Sequence, residues 1–140
     1  MSTNGNPDCH VILRGGKSGP NFAAREVQRA TNEVAAAGLD PRLMVDCSHA
    51  NSGKDASRQP SVVRDVAQQI ASGSPEIFGV MFESFLVAGR QSVGANAPLV
   101  YGQSITDPCL DWESTGPLLR ELAVAVRARR HAQVPADQTG

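Results

Sequence analysis

The stretch Leu43-Met44-Val45-Asp46-Cys47-Ser48-His49 carries the strongest fold signal in this chain. It passes from three consecutive apolar residues to a polar segment that ends in an imidazole side chain. A short, continuous apolar run is typical of a strand that is buried on both faces, as in a parallel sheet. In parallel α/β proteins, ligands bind at the carboxyl ends of such strands. The stretch therefore predicts a parallel strand over 43–45 that is followed by functional side chains.

Two further apolar runs repeat this arrangement on either side. The run over 11–13 leads into Arg14-Gly15-Gly16-Lys17, and the run over 77–82 leads into Glu83. Consecutive runs are separated by about 30 residues or slightly more, which is the length of one βα unit. We therefore expect three parallel strands, with Arg14, His49 and Glu83 converging at one edge of the sheet.

Apolar residues recur at helical spacing after each predicted strand. The pattern predicts helices over 22–37 and 61–72, and a glycine follows each as a stop signal. A third helix is predicted over 116–131, with Thr115 as its N-cap. The order strand, helix, strand, helix, strand, long loop, helix indicates an α/β fold with parallel strands.

Composition excludes several classes of protein. The 140 residues are one domain's worth of sequence, and a formal net charge of −1 provides no basic field for nucleic acid or an anionic membrane. No apolar run approaches the roughly 20 residues that a spanning helix needs, and residues 1–10 lack the apolar core of a secretory signal. Three cysteines without CxxC spacing are consistent with a reducing compartment. We therefore expect a cytoplasmic protein with neither a nucleic acid nor a membrane as partner.

Each predicted strand ends in a residue that has two interpretations. Arg14 and Lys17 flank two glycines, which suits binding of a phosphate or carboxylate, or equally a solvated turn. His49 is either a metal ligand or general base, or an ordinary hydrogen-bonded histidine. Glu83 is either a carboxylate at the strand mouth or a charge that faces solvent.

A second carboxylate, Asp107, lies in the loop before the last predicted helix. Its Ser/Thr/Asp-rich surroundings before Pro108 are also typical of an ordinary turn. Together, His49, Glu83 and Asp107 supply one nitrogen and two carboxylates, a donor set that suits Mn, Fe, Zn or Co. Cys47 and Cys109 could add sulfur, although both suit small buried positions better.

Four segments together resemble class I 3-deoxy-D-arabino-heptulosonate 7-phosphate (DAHP) synthase, in the family's order and at its separations. They are Asp8–Gly16, Asp46–Ser52, Gly79–Ser84 and Tyr101–Asp107, and the similarity runs from about residue 2 to Arg130. The resemblance implies a (β/α)8 TIM barrel, of which residues 1–131 would form the C-terminal three βα units, followed by a polar tail over 132–140. It also implies condensation of phosphoenolpyruvate with erythrose 4-phosphate, the first step of the shikimate pathway to aromatic amino acids.

The resemblance also implies roles for individual residues. Arg14 would bind phosphoenolpyruvate; Lys17, a cation beside the same glycines, is a possible phosphate contact on its charge alone. His49, Glu83 and Asp107 would bind a divalent metal ion (Mn, Fe, Co or Zn), with His49 also counted as catalytic. The metal would act as a Lewis acid on the aldehyde that carbon 3 of phosphoenolpyruvate attacks.

The chain also departs from the family pattern. It lacks counterparts of the earlier barrel strands, which carry a cysteine metal ligand and the cationic substrate segments. A complete barrel takes about 200 residues or more. We therefore expect the C-terminal part of a synthase, from a truncated or misassigned reading frame, that self-associates or needs a complementing N-terminal barrel fragment. The alternatives are a non-catalytic binding or assembly module and, less well supported by the ordered motifs, another metal-dependent barrel enzyme such as an aldolase.

Three strands cannot close a barrel, so some apolar strand residues are expected to lack a partner. The candidates are Val11, Leu13, Val45, Val80 and Phe82. Periodicity by itself does not say which of them points toward the missing strands.

Overall fold

The computed structural model describes residues 5–6, 8–94 and 98–133. Its main sheet has three parallel strands, β1 (Val11–Leu13), β2 (Leu43–Asp46) and β3 (Ile77–Met81), with β2 in the centre. In the register, Leu13 pairs with Val45 and Asp46 pairs with Met81. Because the strands are parallel, all three carboxyl ends lie at one edge of the sheet. The predicted α/β repeat with parallel strands is confirmed.

The described residues contain three α-helices: one after β1, one after β2, and one that ends the described chain. Helix α1 (Ala24–Ala36) and helix α2 (Gln59–Ala71) lie close to their predicted ranges. Helix α3 (Trp112–Ala132) begins earlier than predicted, because its N-cap is Asp111 and not Thr115. The Asp111 carboxylate accepts the Ser114 N–H at 2.7 Å, whereas Thr115 is buried inside the first turn. The prediction of Thr115 as the cap was wrong because an aspartate four residues upstream offers the stronger acceptor.

Helix α3 forms the C-terminal part of the described chain. It continues to Ala132, and basic residues occupy its last turn, where they interact favourably with the helix dipole. Most of the polar tail predicted over 132–140 falls on 134–140, which lie outside the described residues. Within the described ranges, every helix is too short or too polar to cross a membrane.

The segment predicted as a long loop contains a second, two-stranded parallel sheet. Its strands are β4 (Val87–Arg90) and β5 (Gln103–Ser104). The side chain of Gln91 supports this sheet: it accepts the Val100 N–H at 2.7 Å and donates to the Val100 carbonyl at 2.8 Å. The Gln91 side chain thus makes hydrogen bonds that strand backbone would otherwise make. These short strands show no alternation of apolar and polar residues, so the sequence pattern did not predict them.

The hydrophobic core lies between the main sheet and the helices. Leu43, Val45 and Ile77 from the strands are buried there with Val63 of α2 and Leu118 of α3. Leu13 and Val45 therefore do not lack partners, contrary to expectation: the register places them side by side on the helix-covered face. Val80 and Phe82 are partly buried against the same core, and Val11 is exposed.

The opposite face of the sheet leaves apolar side chains open to solvent. Ile12 pairs with Met44 on this face, and Met81 pairs with Asp46. Ile12 is 42% exposed and Met81 is 37% exposed. A groove continues this apolar surface toward α3, and its lining includes Met44, Met81, Phe85, Leu86, Trp112 and Leu119.

We predict that the 140-residue chain self-associates at low micromolar concentration. Each large apolar side chain left wet forfeits roughly 1.5–3 kcal/mol, against a total stability of about 5–15 kcal/mol for a domain. Sedimentation velocity combined with near-UV circular dichroism tests this expectation. A sharp monomer boundary with a cooperative thermal transition would show that the exposed face needs no cover.

Candidate metal centre

The three strands deliver Arg14, His49 and Glu83 to the same edge of the sheet. Arg14 directly follows β1, and its Nε lies 3.8 Å from Oδ2 of Asp46 at the end of β2. His49 follows β2, and its Nε2 lies 3.6 Å from Oε1 of Glu83, beyond the end of β3. The expected convergence at one edge is confirmed.

Asp107 completes the group from the loop after β5. One nitrogen or carboxylate oxygen from each of His49, Glu83 and Asp107 lies within 4.8 Å of the others, so the three residues could hold a metal ion. His49 and Glu83 are half-buried and Asp107 is exposed. Backbone bonds in both directions between Gly89 and Cys109, of 2.8 and 3.1 Å, fasten the segment behind Asp107 to β4. The four predicted metal and arginine positions therefore share one site, although they come from four separate connections.

Asp46 orients the imidazole of His49. Its Oδ2 accepts the Nδ1 proton of His49 at 2.7 Å, so in the neutral imidazole the lone pair lies on Nε2, which faces Glu83. Asp46 is fully buried, and its other oxygen accepts the N–H of Ser48 at 2.8 Å. Metal-binding histidines usually have such a carboxylate behind the ring. Sequence reasoning missed this role of Asp46, although an acid three residues before a candidate histidine was a usable signal.

The backbone at His49 supports the same arrangement. Its φ of 48° lies in the left-handed region, where histidine is several-fold enriched among non-glycine residues. The carbonyl of His49 accepts the N–H of Lys54 at 2.6 Å, which holds this tight turn closed. Sparsely populated backbone conformations of this kind cluster at functional sites.

A network of amide side chains ties the ends of β1 and β2 together. Asn51 donates through Nδ2 to the carbonyls of Leu13 and Asp46, at 3.0 and 2.7 Å. Its Oδ1 accepts the N–H of Asn21, and the Asn21 side chain accepts the N–H of Gly15, both at 2.7 Å. This network fixes the position of the residue after β1, Arg14, relative to the turn that carries His49.

The electrostatics of the cluster suit a cation. Burial is the main cause that raises the pKa of Glu83, and the nearby carboxylates of Asp107 and Asp46 raise it further. His49 and Arg14 act in the opposite direction. One imidazole and two crowded carboxylates therefore match the ligand preferences of Mn, Fe, Co or Zn.

The two cysteines near the site differ in environment. Cys47 is fully buried, as expected of a small packed residue, and burial raises the pKa of its thiol to about 12. Cys109 is half-buried, and burial is also the main cause that raises its pKa.

Lys17 lies apart from the other candidates. It belongs to a tight turn in which Gly16 and Gly19 exchange two backbone hydrogen bonds of 2.9 and 3.0 Å. It lines a separate cavity beside the first turn of α1, together with Arg25 and Glu26. Its predicted contact with a phosphate stays a prediction.

Comparison with known proteins identifies what this arrangement resembles. Residues 1–120 match the family model described as the DAHP synthetase I family. The chain is 53% identical over 130 residues to the Phe-sensitive phospho-2-dehydro-3-deoxyheptonate aldolase of Escherichia coli K12, covering 93% of this chain and 37% of that relative. It is 50% identical over 139 residues to the aldolase of the same name from Corynebacterium glutamicum, covering 94% of this chain and 37% of the relative.

A solved structure of a protein with the same name also matches this chain. The phospho-2-dehydro-3-deoxyheptonate aldolase of Francisella tularensis superposes with a TM-score of 0.87 at 50% sequence identity. The match covers 93% of this chain and 38% of that one. The chain thus spans little more than a third of the length of the proteins that it matches.

We predict that His49→Ala weakens Mn²⁺ binding more than tenfold, because it removes the nitrogen ligand itself. Even mutation of a residue that only hydrogen-bonds a ligand typically lowers metal affinity by about 10–100-fold. Isothermal titration of the metal into the purified chain measures this. His131→Ala, in the exposed last turn of α3, is the matched control and should bind like the wild type. Equal affinity in both variants would remove His49 from the ligand set.

We predict that Asp46→Asn lowers Mn²⁺ affinity by about 10–100-fold with every ligand still present. An amide N–H facing Nδ1 cannot accept its proton, so the imidazole adopts the tautomer whose Nε2 carries a proton toward Glu83. The control is Asp65→Asn, whose carboxylate on α2 accepts a bond from Gln69 away from the cluster. Wild-type affinity in Asp46→Asn would mean that the ring needs no carboxylate behind it.

We predict that Gly15→Ala destabilises the chain by about 1–3 kcal/mol. A Cβ at Gly15 would lie 2.7 Å from Cβ of Ala50 and 2.9 Å from the backbone N of Asn51, at a φ of +74°. Gly16→Ala is the control, since its Cβ would meet nothing within 4 Å. Urea unfolding at one fixed protein concentration compares them, and equal midpoints would contradict the close approach.

Proposed function

The chain belongs to the DAHP synthetase I family, and from that premise we propose that it forms the metal-binding part of a 3-deoxy-7-phosphoheptulonate synthase. Such an enzyme condenses phosphoenolpyruvate with erythrose 4-phosphate. The observation that carries the proposal is the cluster of His49, Glu83 and Asp107 within 4.8 Å, at the carboxyl edge of a parallel sheet. The alternative of a non-catalytic assembly module is not favoured, because the relatives named above are all phospho-2-dehydro-3-deoxyheptonate aldolases.

In this proposal, residues 1–131 are the C-terminal three βα units of a (β/α)8 barrel, and 132–140 form a polar tail. The parallel order β1-β2-β3 with helices on one face supports it. The exposed apolar face around Ile12 and Met81 is then the side that turns toward the barrel interior. Functional side chains at the carboxyl ends of the strands agree with where barrel enzymes place their active sites.

The site residues are assigned the roles expected from the sequence, and the surroundings of Arg14 and His49 support those roles. Arg14 binds phosphoenolpyruvate: its side chain is 60% exposed, so the guanidinium fork is available for a carboxylate or phosphate. His49, Glu83 and Asp107 hold the divalent metal, and His49 is the catalytic histidine whose ring Asp46 holds in one tautomer. Lys17 provides a more distant phosphate contact. The bound metal (Mn, Fe, Co or Zn) supplies a Lewis acid for the aldehyde of erythrose 4-phosphate.

The partners follow from the same proposal. The small-molecule partners are phosphoenolpyruvate and erythrose 4-phosphate, with no nucleic acid and no membrane involved. The macromolecular partner is a complementing N-terminal barrel fragment or a second copy of the chain, which would cover the exposed apolar face. We place the protein in the cytoplasm, which agrees with the free thiols of Cys9, Cys47 and Cys109.

We predict that the 140-residue chain alone gives no detectable turnover. Two strongly anionic substrates need several fixed cations to reach a reacting geometry, and Arg14 and Lys17 do not suffice. Loss of orientation alone removes about 7 kcal/mol or more of barrier lowering. Turnover by the purified chain that is abolished by EDTA and by Glu83→Ala would refute this expectation.

The positive test is a chimera. Residues of this chain replace the matching segment of the Escherichia coli relative, and formation of the seven-carbon product is measured. We expect turnover that falls to background with Glu83→Gln and is unchanged with Glu113→Gln, an exposed glutamate at the start of α3. A folded chimera that binds Mn²⁺ but makes no product would overturn the proposed activity.

A further inference from the structure

The backbone of Glu83 is held by a side chain from another element. Near the end of β3, Cys47 N–H donates to the Met81 carbonyl at 2.7 Å. Two residues further along, the N–H of Glu83 donates instead to Oε1 of Gln59 at 2.8 Å. Nε2 of Gln59 lies 3.4 Å from the Glu83 carbonyl, which also accepts the N–H of Leu110 at 3.0 Å. The Gln59 amide thus presents to Glu83 the donor and acceptor that a neighbouring strand would present.

Gln59 is an unusual residue to find at this depth. It is the first residue of α2 and only 1% exposed, although glutamine is mostly a surface residue. A buried amide is tolerated where its hydrogen-bonding capacity is used, and here both ends bond the backbone of a single residue, Glu83. Packing alone would be served equally well by an apolar side chain of similar length.

The connection from β2 to α2 therefore acts on two metal ligands at once. It carries His49 near its start and Gln59 at its end. Between them, the chain is closed by the Lys54 N–H to His49 carbonyl bond and by the Asp55 carboxylate, which caps the short 3₁₀ turn over Ala56–Arg58. One ordered segment thus holds the imidazole of one ligand and the backbone of the other. The two side chains meet beside this segment, with Nε2 of His49 3.6 Å from Oε1 of Glu83.

We propose that Gln59 is the positioning residue for Glu83: its buried amide pairs with the Glu83 peptide and holds the carboxylate where it shares a metal with His49. The inference rests on the proposed function, because it takes Glu83 to be a metal ligand. Gln59 does not touch the metal or a substrate. Its effect is therefore on the geometry of the ligand set.

The first test measures Mn²⁺ affinity by titration and the visible absorption of bound Co²⁺, whose spectrum reports coordination geometry. Gln59→Met removes the amide and keeps an unbranched side chain. Gln69→Met is the matched control: Gln69 is also a buried glutamine of α2, but it donates to Phe22 and Asp65, outside the site. We expect about a tenfold or greater loss of affinity and an altered Co²⁺ spectrum in Gln59→Met only.

The second test needs no metal. Hydrogen exchange followed by NMR should be faster at the Glu83 amide in Gln59→Met, with the Cys47 amide unchanged as an internal reference. Gln59→Glu, which keeps an acceptor for the Glu83 N–H, should restore both slow exchange and most of the metal affinity. A merely structural role would not produce this rescue.

The outcomes distinguish a failure of the positioning role from a failure of the metal site. Wild-type affinity and spectrum in Gln59→Met, or an equal loss in Gln69→Met, would overturn the positioning role and leave the metal site intact. Absence of Mn²⁺ binding by the wild-type chain and by the active chimera would overturn the proposed metal site, and the positioning role with it.

Discussion

The fully buried carboxylate of Asp46 is the constraint on which this edge of the sheet depends. A buried charge is strongly destabilising unless it is paired and hydrogen-bonded, so the surrounding chain must supply donors. Ser48 and His49 do so from the turn that follows β2, and Arg14 approaches from the end of β1. The need to satisfy one side chain therefore fixes the tautomer of the histidine and brings the arginine beside it. Stability and site geometry have the same physical origin here.

Amide side chains continue the sheet where its backbone ladder stops. Asn51 joins the ends of β1 and β2 through its side-chain amide. Beyond the end of β2, the Gln59 side chain accepts the Glu83 N–H. Gln91 does the same in the smaller sheet. An amide side chain carries a donor and an acceptor like those of a peptide group, so it can satisfy a strand end without extending the strand. This allows the chain to turn sharply at the edge of the sheet and still hold its functional side chains in place.

The sequence by itself determined the α/β repeat and the residues that gather at one edge. The apolar runs that form β1, β2 and β3 are short and continuous, and the chain between them has helical periodicity, so local pattern was sufficient. Parallel strands must end at a common edge, which is why the sequence alone predicts that His49 and Glu83 lie together. Asp107 was a weaker candidate for the ligand set, because it lies in a loop whose residues are also typical of an ordinary turn, and resemblance to a family strengthened its place there.

Tertiary structure alone decided the features that depend on register and on long-range hydrogen bonds. Leu13 and Val45 pack on the helix side because β1 and β2 are paired in one particular register, and a shift of one residue would have reversed their faces. The pairing of Gln59 with the Glu83 peptide joins residues that are distant in the chain, and a glutamine before an apolar helix carries no local signal of burial. Such contacts exist only after the sheet and α2 have packed together, and for that reason no local pattern in the sequence could report them.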